Sequence, residues 1–343
     1  MNKKNILITC KLDDNALYRH LNPLLKSSFI KKIVIIREKP GVSNKKIEYI
    51  VSTYRNKILK NTQKIRLILK NSKHADIIWG FYLVPHGINA LIAAKIKGKK
   101  VGISLIGTDI NIHLKSKYKK ILIYALNKFN YITVTGRKSR RYLIKEGVDK
   151  NKIFILPNAV DTKRFKIKKR KKVYDFLFVG RLVQIKNVDK IILLLSKLNE
   201  NNDYKLAIIG DGPEKNNLIK LTKKLNMEKN IKFLGYKDDV ENYMNMSKFF
   251  IMASESEGLP LSMLEAMSCG IVPIVPDVGD ITDVANKNNA IIYKSINTGL
   301  YEKIRKYSTD KKAYHQLSKN ASKKSSIYSD DNVIKFWEKI IIK

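Results

Sequence analysis

The sequence predicts an α/β protein made of two Rossmann-like, doubly wound domains, each built on a parallel sheet. Short runs rich in β-branched residues alternate with helical patterns, which is typical of consecutive βαβ units. The runs form two series, one on each side of a strongly basic stretch. A chain of 343 residues with 44% hydrophobic composition is also long enough for about two domains.

Seven candidate strands make up the first series and six make up the second. In order they read NILITC, KKIVIIR, IEYIV, ADIIWG, KVGISLIG, NYITVTG and KIFILPN, then YDFLFVGR, KLAIIGDG, NIKFLGY, FFIMAS, GIVPIVP and NAIIY. Ligands of open parallel sheets bind outside the carboxyl ends of the strands. We therefore expect the two domains to face each other across a cleft, with the functional residues just after strands.

The expected domains are an N-terminal domain over residues 1–162, a basic linker over 163–173, a C-terminal domain over 174–326 and a final helix over 327–343. The linker contains KRFKIKKRKK, in which eight of ten residues are basic. A solvated linker is one interpretation of this run and nuclear targeting is the other. The last segment, SDDNVIKFWEKIII, predicts a helix because Ser329 is a good N-cap and acids fill the first turn.

The apolar segments and the cysteines predict a cytoplasmic protein. The apolar run near the N-terminus is shorter than a signal peptide requires, and no run reaches the roughly 18 residues of a membrane span. Cys10 and Cys269 are the only cysteines, so the sequence contains no disulfide framework.

The positive charge of the chain is distributed unevenly. Residues 1–160 carry 34 basic and 8 acidic residues, a net +26, whereas residues 161–343 carry 34 and 22, a net +12. Codon bias toward lysine would act on both halves alike. The asymmetry therefore indicates that the N-terminal half meets an acidic partner, such as an anionic membrane, a phosphorylated substrate or nucleic acid.

Two strand ends of the second series carry glycine turns, and one of them also carries residues suited to phosphate. In GRLVQIKN, Gly180 permits a tight turn, and Arg181 and Lys186 bring two cations to the strand end, where they suit a diphosphate. The same residues could equally be surface cations of a lysine-rich protein. GDGP, from Gly210 to Pro213, lacks the third glycine of a dinucleotide fingerprint and predicts a strand-to-helix turn.

The segment SESEGLPLSMLEAMSCG predicts a loop followed by a helix that starts at Pro260 and ends at Gly270. The backbone N–H groups between Gly258 and Ser262 offer a phosphate site at the N-terminus of this helix. Glu257 precedes the helix, and Glu265 lies one to two turns inside it. A carboxylate accepts two hydrogen bonds from a diol such as ribose. Alternatively, Glu257 belongs to a cap and Glu265 is a solvated helical residue.

Taken together, these motifs resemble the GT-B glycosyltransferases of glycosyltransferase family 4. Glu257 and Glu265 match the family's E-x7-E motif, VGRLVQIKNVD matches its G-R-L-x(3)-K segment, and IIGDGP, IKFLGY and IFILPNAVDTKRF follow the family order. The resemblance also covers PHGINALIAAKIKGKKVGISLIGTDI in the N-terminal half, which would then be the acceptor-binding domain. It further implies that the final helix crosses back to the first domain.

The resemblance implies transfer of a hexosyl group from a nucleoside diphosphate sugar, with UDP- or GDP-sugars as donors, and with retention of the anomeric configuration. Arg181 and Lys186 would bind the diphosphate, and Glu265 would bind the ribose hydroxyls. The backbone near Tyr236 would contact the base, and Glu257 would contact the transferred sugar. The phosphate and the sugar would also be contacted by Gly258, Leu259, Pro260, Leu261 and Ser262. No cofactor or metal is expected, and the sequence contains no Asp-x-Asp triplet.

Two departures from the family pattern concern the N-terminal half. The loop ITCKLDDNALYRH lacks the glycine pair that often follows the first strand, and Ile106 stands where a histidine often precedes the Gly-Ser/Thr-Asp segment. His86 or Asp109 could take over a contact with sugar or acceptor. A structural role is the alternative for both residues.

The basic N-terminal half predicts a lipid-linked or membrane-proximal acceptor, as in surface polysaccharide biosynthesis. KILKNTQKIRLILKNSK and KSKYKKILIYALNKF read as basic amphipathic helices that suit the inner face of the cytoplasmic membrane. A nucleotide-sugar epimerase and a transferase with a soluble acceptor are alternatives on the same fold. A basic nucleic-acid-binding protein is a more remote one, because no helix-turn-helix, RNP or zinc-finger pattern accompanies the charge.

Overall fold

Two units of parallel sheet and helix make up the chain. The computed structural model describes residues 3–12, 14–53, 57–111 and 113–342. The first unit comprises Met1–Ala159 together with Asp330–Lys343, and the second comprises Val160–Ser329.

The first unit contains a seven-stranded parallel sheet in the order β3-β2-β1-β4-β5-β6-β7. Its strands are β1 Lys4–Thr9, β2 Ile30–Arg37, β3 Ile47–Val51, β4 Ile77–Phe81, β5 Lys100–Ser104, β6 Tyr131–Val134 and β7 Ile153–Ile155. Its helices are α1 Asp14–Lys26, α2 Lys57–Asn71, α3 Ile88–Lys97, α4 Thr108–Asn111, α5 Lys119–Leu126 and α6 Arg137–Lys145, to which the last helix of the chain, α13 Asp330–Ile341, is added.

The second unit contains a six-stranded parallel sheet in the order β10-β9-β8-β11-β12-β13. Its strands are β8 Tyr174–Val179, β9 Leu206–Ile209, β10 Ile231–Gly235, β11 Ser247–Ile251, β12 Val272–Pro276 and β13 Ile291–Tyr293. Its helices are α7 Val188–Leu198, α8 Lys215–Lys224, α9 Val240–Asn245, α10 Leu261–Ser268, α11 Thr298–Thr309 and α12 Lys311–Ser325.

Both sheets are covered by helices on their two faces, which is why their strands are nearly continuous apolar runs. In the first unit, Ile68 of α2, Leu91 of α3 and Leu126 of α5 pack together on one face, and α1 and α13 pack on the other. Each of the thirteen predicted strand runs overlaps a strand of the structure. The two parallel α/β units confirm the predicted fold class.

The last helix belongs to the first unit, where it packs on α1. Asp330 at its start accepts hydrogen bonds from Asn22 Nδ2 at 2.5 Å and Lys26 Nζ at 2.6 Å. Trp337 meets Trp79 of β4 edge to face, with ring centroids 5.0 Å apart. The final helix therefore covers a face of the first sheet, although it follows the whole second unit in the chain.

The basic run at residues 163–173 packs on the second unit. Arg164 Nε lies 2.9 Å from Glu241 Oε2, and the Lys172 ammonium donates to the carbonyl groups of Asn245 and Ser247 at 3.0 and 2.8 Å. Several of its cations thus find partners on and beside α9. The second unit begins at Val160, before this run, so the run is part of that unit.

Among the described residues, no helix combines the length and apolarity that a membrane span requires.

Candidate functional site

Two loops of the second unit meet at the carboxyl ends of adjacent strands. The loop after β8 carries Arg181 and Lys186, and the loop after β11 carries Glu257. Because β8 and β11 are neighbours in the sheet, Lys186 Nζ reaches Glu257 Oε1 and forms an ion pair. The side chains are 24% and 11% exposed, so the pair is partly withdrawn from water. A cation and a carboxylate 71 positions apart in the chain are thereby brought together.

Asn187 fastens the same two loops to each other. Its backbone is left-handed, with φ +47°, and its side-chain amide donates to the Ala253 carbonyl at 3.1 Å and to Glu255 Oε1 at 3.2 Å. The Glu255 N–H in turn donates to the Ile185 carbonyl at 3.0 Å. Sequence analysis missed this role. The available signal was an asparagine directly before a helix, since asparagine tolerates the left-handed region better than most residues.

The Gly180 turn is held in place by the loop after β9. Gly210, with φ +135°, comes so close to this turn that a Cβ on it would lie 1.9 Å from the Gly180 carbonyl oxygen. Gly212, with φ +159°, approaches the Leu182 carbonyl in the same way. GDGP is therefore a strand-to-helix turn packed against the loop that carries Arg181. The Arg181 side chain itself is exposed.

The segment before α10 lies at the same edge of the sheet. Pro260 is the N-cap of α10, so the helix begins at Leu261, one residue later than predicted. Leu259 and Pro260 are buried, and Gly258 and Ser262 are partly exposed. The Gly258 carbonyl accepts a hydrogen bond from the Asp280 N–H at 3.1 Å. This contact ties the segment to the loop after β12, while the first N–H groups of α10 have no acceptor within the helix.

Glu265 and Tyr236 occupy opposite environments. Glu265 projects from α10 into the interior and is 3% exposed, which excludes the alternative of a solvated helical residue. A buried carboxylate requires hydrogen-bonding partners. Tyr236 follows β10, at the edge of the sheet and two strands from β8, and its side chain is 62% exposed. The ring of Tyr236 is therefore open to solvent in this structure.

His86 lies in the first unit, directly after β4. It is buried, and its Nδ1 lies 3.2 Å from the Thr9 hydroxyl at the end of β1. Burial, with a smaller contribution from the positive charge of Lys64, lowers the pKa of His86 to about 3. The imidazole is therefore neutral at physiological pH.

Asp109 links two strand-end loops of the first unit. Its carboxylate accepts hydrogen bonds from the Leu83 N–H at 2.9 Å, after β4, and from the Ile106 N–H at 3.0 Å, after β5. Burial raises the pKa of Asp109 to about 6, although both backbone hydrogen bonds oppose this shift. Both His86 and Asp109 thus have structural partners here, and their predicted contacts with sugar or acceptor stay predictions.

No group of three or more His, Cys, Asp or Glu side chains is placed to hold a metal ion within the part of the chain that the structure describes.

Family models match both halves of the chain. The model described as glycosyl transferases group 1 matches residues 159–324, and the model described as Glycosyltransferase Family 4 matches residues 28–164. Together they extend from residue 28 to residue 324.

Curated relatives are about one quarter identical to this chain over the aligned residues. The UDP-Gal:alpha-D-GlcNAc-diphosphoundecaprenol alpha-1,3-galactosyltransferase of Escherichia coli is 28% identical over an alignment of 307 positions, which covers 83% of this chain and 78% of that protein. The N-acetyl-alpha-D-glucosaminyl L-malate synthase of Bacillus anthracis is 26% identical over 230 residues. The match covers 62% of this chain and only 59% of the malate synthase.

Solved structures of similar fold match nearly the full length. Anabaena Alr3699/HepE in complex with UDP and glucose superposes with a TM-score of 0.81 at 15% identity, over 99% of this chain and 98% of that one. The lipopolysaccharide outer core galactosyltransferase WaaB gives a TM-score of 0.73 at 18% identity, over 98% and 99%. At such identities the likeness shows the GT-B fold. With this fold, and with family models that match both of its halves, the chain belongs to glycosyltransferase family 4, within the group 1 glycosyl transferases.

Proposed function

We propose that this protein is a retaining hexosyltransferase that moves a sugar from a nucleoside diphosphate donor, a UDP- or GDP-sugar, to an acceptor hydroxyl. The observation that carries the proposal is the contact between Lys186 and Glu257 at the carboxyl ends of β8 and β11. Arg181 is exposed in the same loop as Lys186, and α10 begins three residues after Gly258. Cations, a carboxylate and helix N–H groups without an acceptor inside their own helix are therefore grouped at one edge of one sheet.

This grouping suits the charge changes of glycosyl transfer. Breaking the bond between sugar and diphosphate leaves negative charge on the phosphate oxygens and positive charge on the sugar. Arg181, Lys186 and the first turn of α10 would stabilise the departing diphosphate. Glu257, beside Lys186, would contact the sugar, and Glu265 would accept hydrogen bonds from the ribose. In the same-face route that the family resemblance implies, the diphosphate itself would help to deprotonate the acceptor.

The acceptor that we propose is a lipid-linked or membrane-proximal glycan. The name of the Escherichia coli relative specifies a diphosphoundecaprenol-linked acceptor, and that relative matches 83% of this chain. The net charge of +26 in residues 1–160 suits such an acceptor, because anionic headgroups surround it. The protein would then act as a peripheral enzyme at the inner face of the cytoplasmic membrane.

A soluble acceptor is the second candidate. It is favoured by the Bacillus anthracis relative, whose name specifies L-malate. Analysis of the product distinguishes the two candidates, and it also distinguishes both of them from an epimerase, which would convert the donor without any acceptor.

The test is nucleotide release from UDP-, GDP- and ADP-sugars, with and without membrane lipid extract. We expect one donor to release its nucleotide in a lipid-dependent reaction, and we expect Arg181→Ala and Glu265→Ala to slow it at least about tenfold, since a hydrogen bond to a charged group contributes about 1.5–3 kcal/mol. Arg305→Ala removes an exposed arginine from α11 and is the matched control. NMR of the product anomer tests retention, and chelation by EDTA tests metal independence.

Absence of donor binding and release in a folded wild-type protein would refute the proposal. Release that depends on a small soluble acceptor, but not on lipid, would instead favour the second candidate.

A further inference from the structure

Three helices on one face of the first sheet form a layer without acidic residues. Segments 57–75, 88–100 and 111–131, which contain α2, α3 and α5, hold fifteen Lys and Arg residues and no Asp or Glu. The chain as a whole has 30 acidic residues for 68 basic ones. A general lysine bias would leave acidic residues in this layer as it does elsewhere, so the bias alone does not account for their absence.

The outer side of α5 presents a row of large apolar side chains to solvent. Tyr118, Ile121 and Tyr124 lie three residues apart, on successive turns, and are 56%, 67% and 65% exposed. On α3 of the same layer, Ile92 and Ile96 lie one turn apart and are also exposed. Single exposed apolar residues are normal on a protein surface, whereas a row at helical spacing indicates an interaction surface.

Lysines surround the row on α5. Lys117 and Lys128 lie over the rings of Tyr118 and Tyr124, with Nζ 5.4 and 4.6 Å from the ring centroids. Lys120 is exposed beside them. The neighbouring Lys119 pairs with Glu146 of α6 at 2.5 Å, so its charge is already compensated. Aromatic and aliphatic groups flanked by lysines are typical of helices that lie in the interface of an anionic bilayer, where the lysine stems extend toward the phosphates.

We propose that α5, together with the exposed isoleucines of α3 in the same layer, is a docking surface for an anionic lipid bilayer. The proposal extends the proposed function, and it depends on that function only for the lipid-linked acceptor. As the crossover from β5 to β6, α5 begins on the side of the sheet where β5 ends. Tyr118, at the start of α5, therefore lies toward the carboxyl edge of the first sheet, where an acceptor would bind. The aliphatic residues Ile92, Ile96 and Ile121 suit lipid better than a polynucleotide.

The experiment is flotation of the full chain with vesicles of phosphatidylcholine and phosphatidylglycerol, compared with phosphatidylcholine alone, without donor or acceptor. We expect binding to the anionic vesicles only. A Lys117→Gln, Lys120→Gln, Lys128→Gln variant should bind on the order of 100-fold more weakly, because each lysine contributes about a fivefold change in partition. The matched control changes Lys220, Lys223 and Lys224 of α8 to glutamine and should bind like wild type.

A second measurement tests insertion of the apolar row itself. Trp79 and Trp337 are buried, so an Ile121→Trp variant places a new fluorophore at the surface. Its emission should shift to shorter wavelength with anionic vesicles and remain unchanged with phosphatidylcholine.

Three outcomes would overturn the proposal: no flotation of the wild type, equal weakening in the α5 variant and the α8 control, or salt-dependent binding to single-stranded RNA with no vesicle binding. The donor panel separates this proposal from the proposed function. Vesicle binding without nucleotide release would count against the transferase, whereas release without vesicle binding would count against the docking surface.

Discussion

The ion pair between Lys186 and Glu257 leads to a prediction in which two neighbouring substitutions have opposite effects on nucleotide binding. Lys186→Met removes the cation that we assign to the diphosphate. Glu257→Gln removes the carboxylate that now occupies that cation. If the site binds a diphosphate, the methionine variant should bind it more weakly, and the glutamine variant should bind it as well as wild type or better.

The magnitudes follow from the exposure of the pair. Side chains that are 24% and 11% exposed lie between a surface pair, which contributes about 0.2–1 kcal/mol, and a buried pair, whose disruption costs about 3–5 kcal/mol. We expect Lys186→Met to lower the free energy of unfolding by about 1–3 kcal/mol. Loss of a charge-assisted hydrogen bond should raise the Kd for the diphosphate about 10- to 150-fold.

The assay is calorimetric titration with UDP, GDP and ADP. Glu257→Gln should leave the Kd unchanged or lower it up to about fivefold, yet sugar transfer should fall because Glu257 is proposed to contact the sugar. Lys190→Met is a matched control, since Lys190 lies in the next helix and pairs with the exposed Glu255 at 3.6 Å. Equal weakening by Lys186→Met and Glu257→Gln, or no effect of Lys186→Met, would refute the assignment and leave the pair a structural one.

Two further predictions concern stability. The pKa of His86 is about 3 in the folded protein against an ordinary value of 6.5, so its contribution to stability is present above pH 6.5 and is lost as the pH falls toward 3. In urea denaturation, the free energy of unfolding of wild type relative to His86→Gln should therefore fall by about 1.4 kcal/mol per pH unit between pH 6 and 4. A difference that stays constant with pH would contradict this. Gly210→Ala places a Cβ 1.9 Å from the Gly180 carbonyl oxygen, whereas the Cβ of Gly235→Ala, at φ +67°, meets no atom within 4 Å. In thermal denaturation, Gly235→Ala should lower the free energy of unfolding by about 1–2 kcal/mol, and Gly210→Ala should lower it clearly more. Equal losses of stability would count against the close approach of Gly210 to Gly180.

Much of the fold could be predicted because its strands are buried on both faces. A central strand of a parallel sheet is a continuous apolar run, as in β4 (IIWGF) and β12 (VPIVP), and such runs stand out from their polar flanks. The helix α10 ends at Ser268, two residues before the predicted Gly270, and Gly270 follows the C-cap Cys269 with φ +72°, a conformation that favours glycine. The start of α10 differs by one residue because proline suits both the cap and the first turn.

The candidate site could be predicted only as a set of separate positions. The spacing of GRLVQIKN and SESEGLP indicates two strand-end loops, but their contact depends on β8 and β11 being adjacent, although β9 and β10 lie between them in the chain. Asn187 was missed for the same reason, because its partners Ala253 and Glu255 are more than 60 positions away. The burial of Glu265 depends on how α10 packs in the second unit, where the flanking residues Met263, Leu264, Ala266 and Met267 are buried as well.

The sequence by itself determined the α/β class, the two series of strands, the motifs of the family and the uneven charge, because these depend on local pattern and composition. The tertiary structure decided which loops meet, where the basic run at 163–173 packs, and that His86 and Asp109 are buried among backbone and side-chain partners. It also decided that Tyr118, Ile121 and Tyr124 point away from the core. These features depend on contacts between residues distant in the chain, and on which face of a helix the sheet covers, and neither can be read from one segment alone.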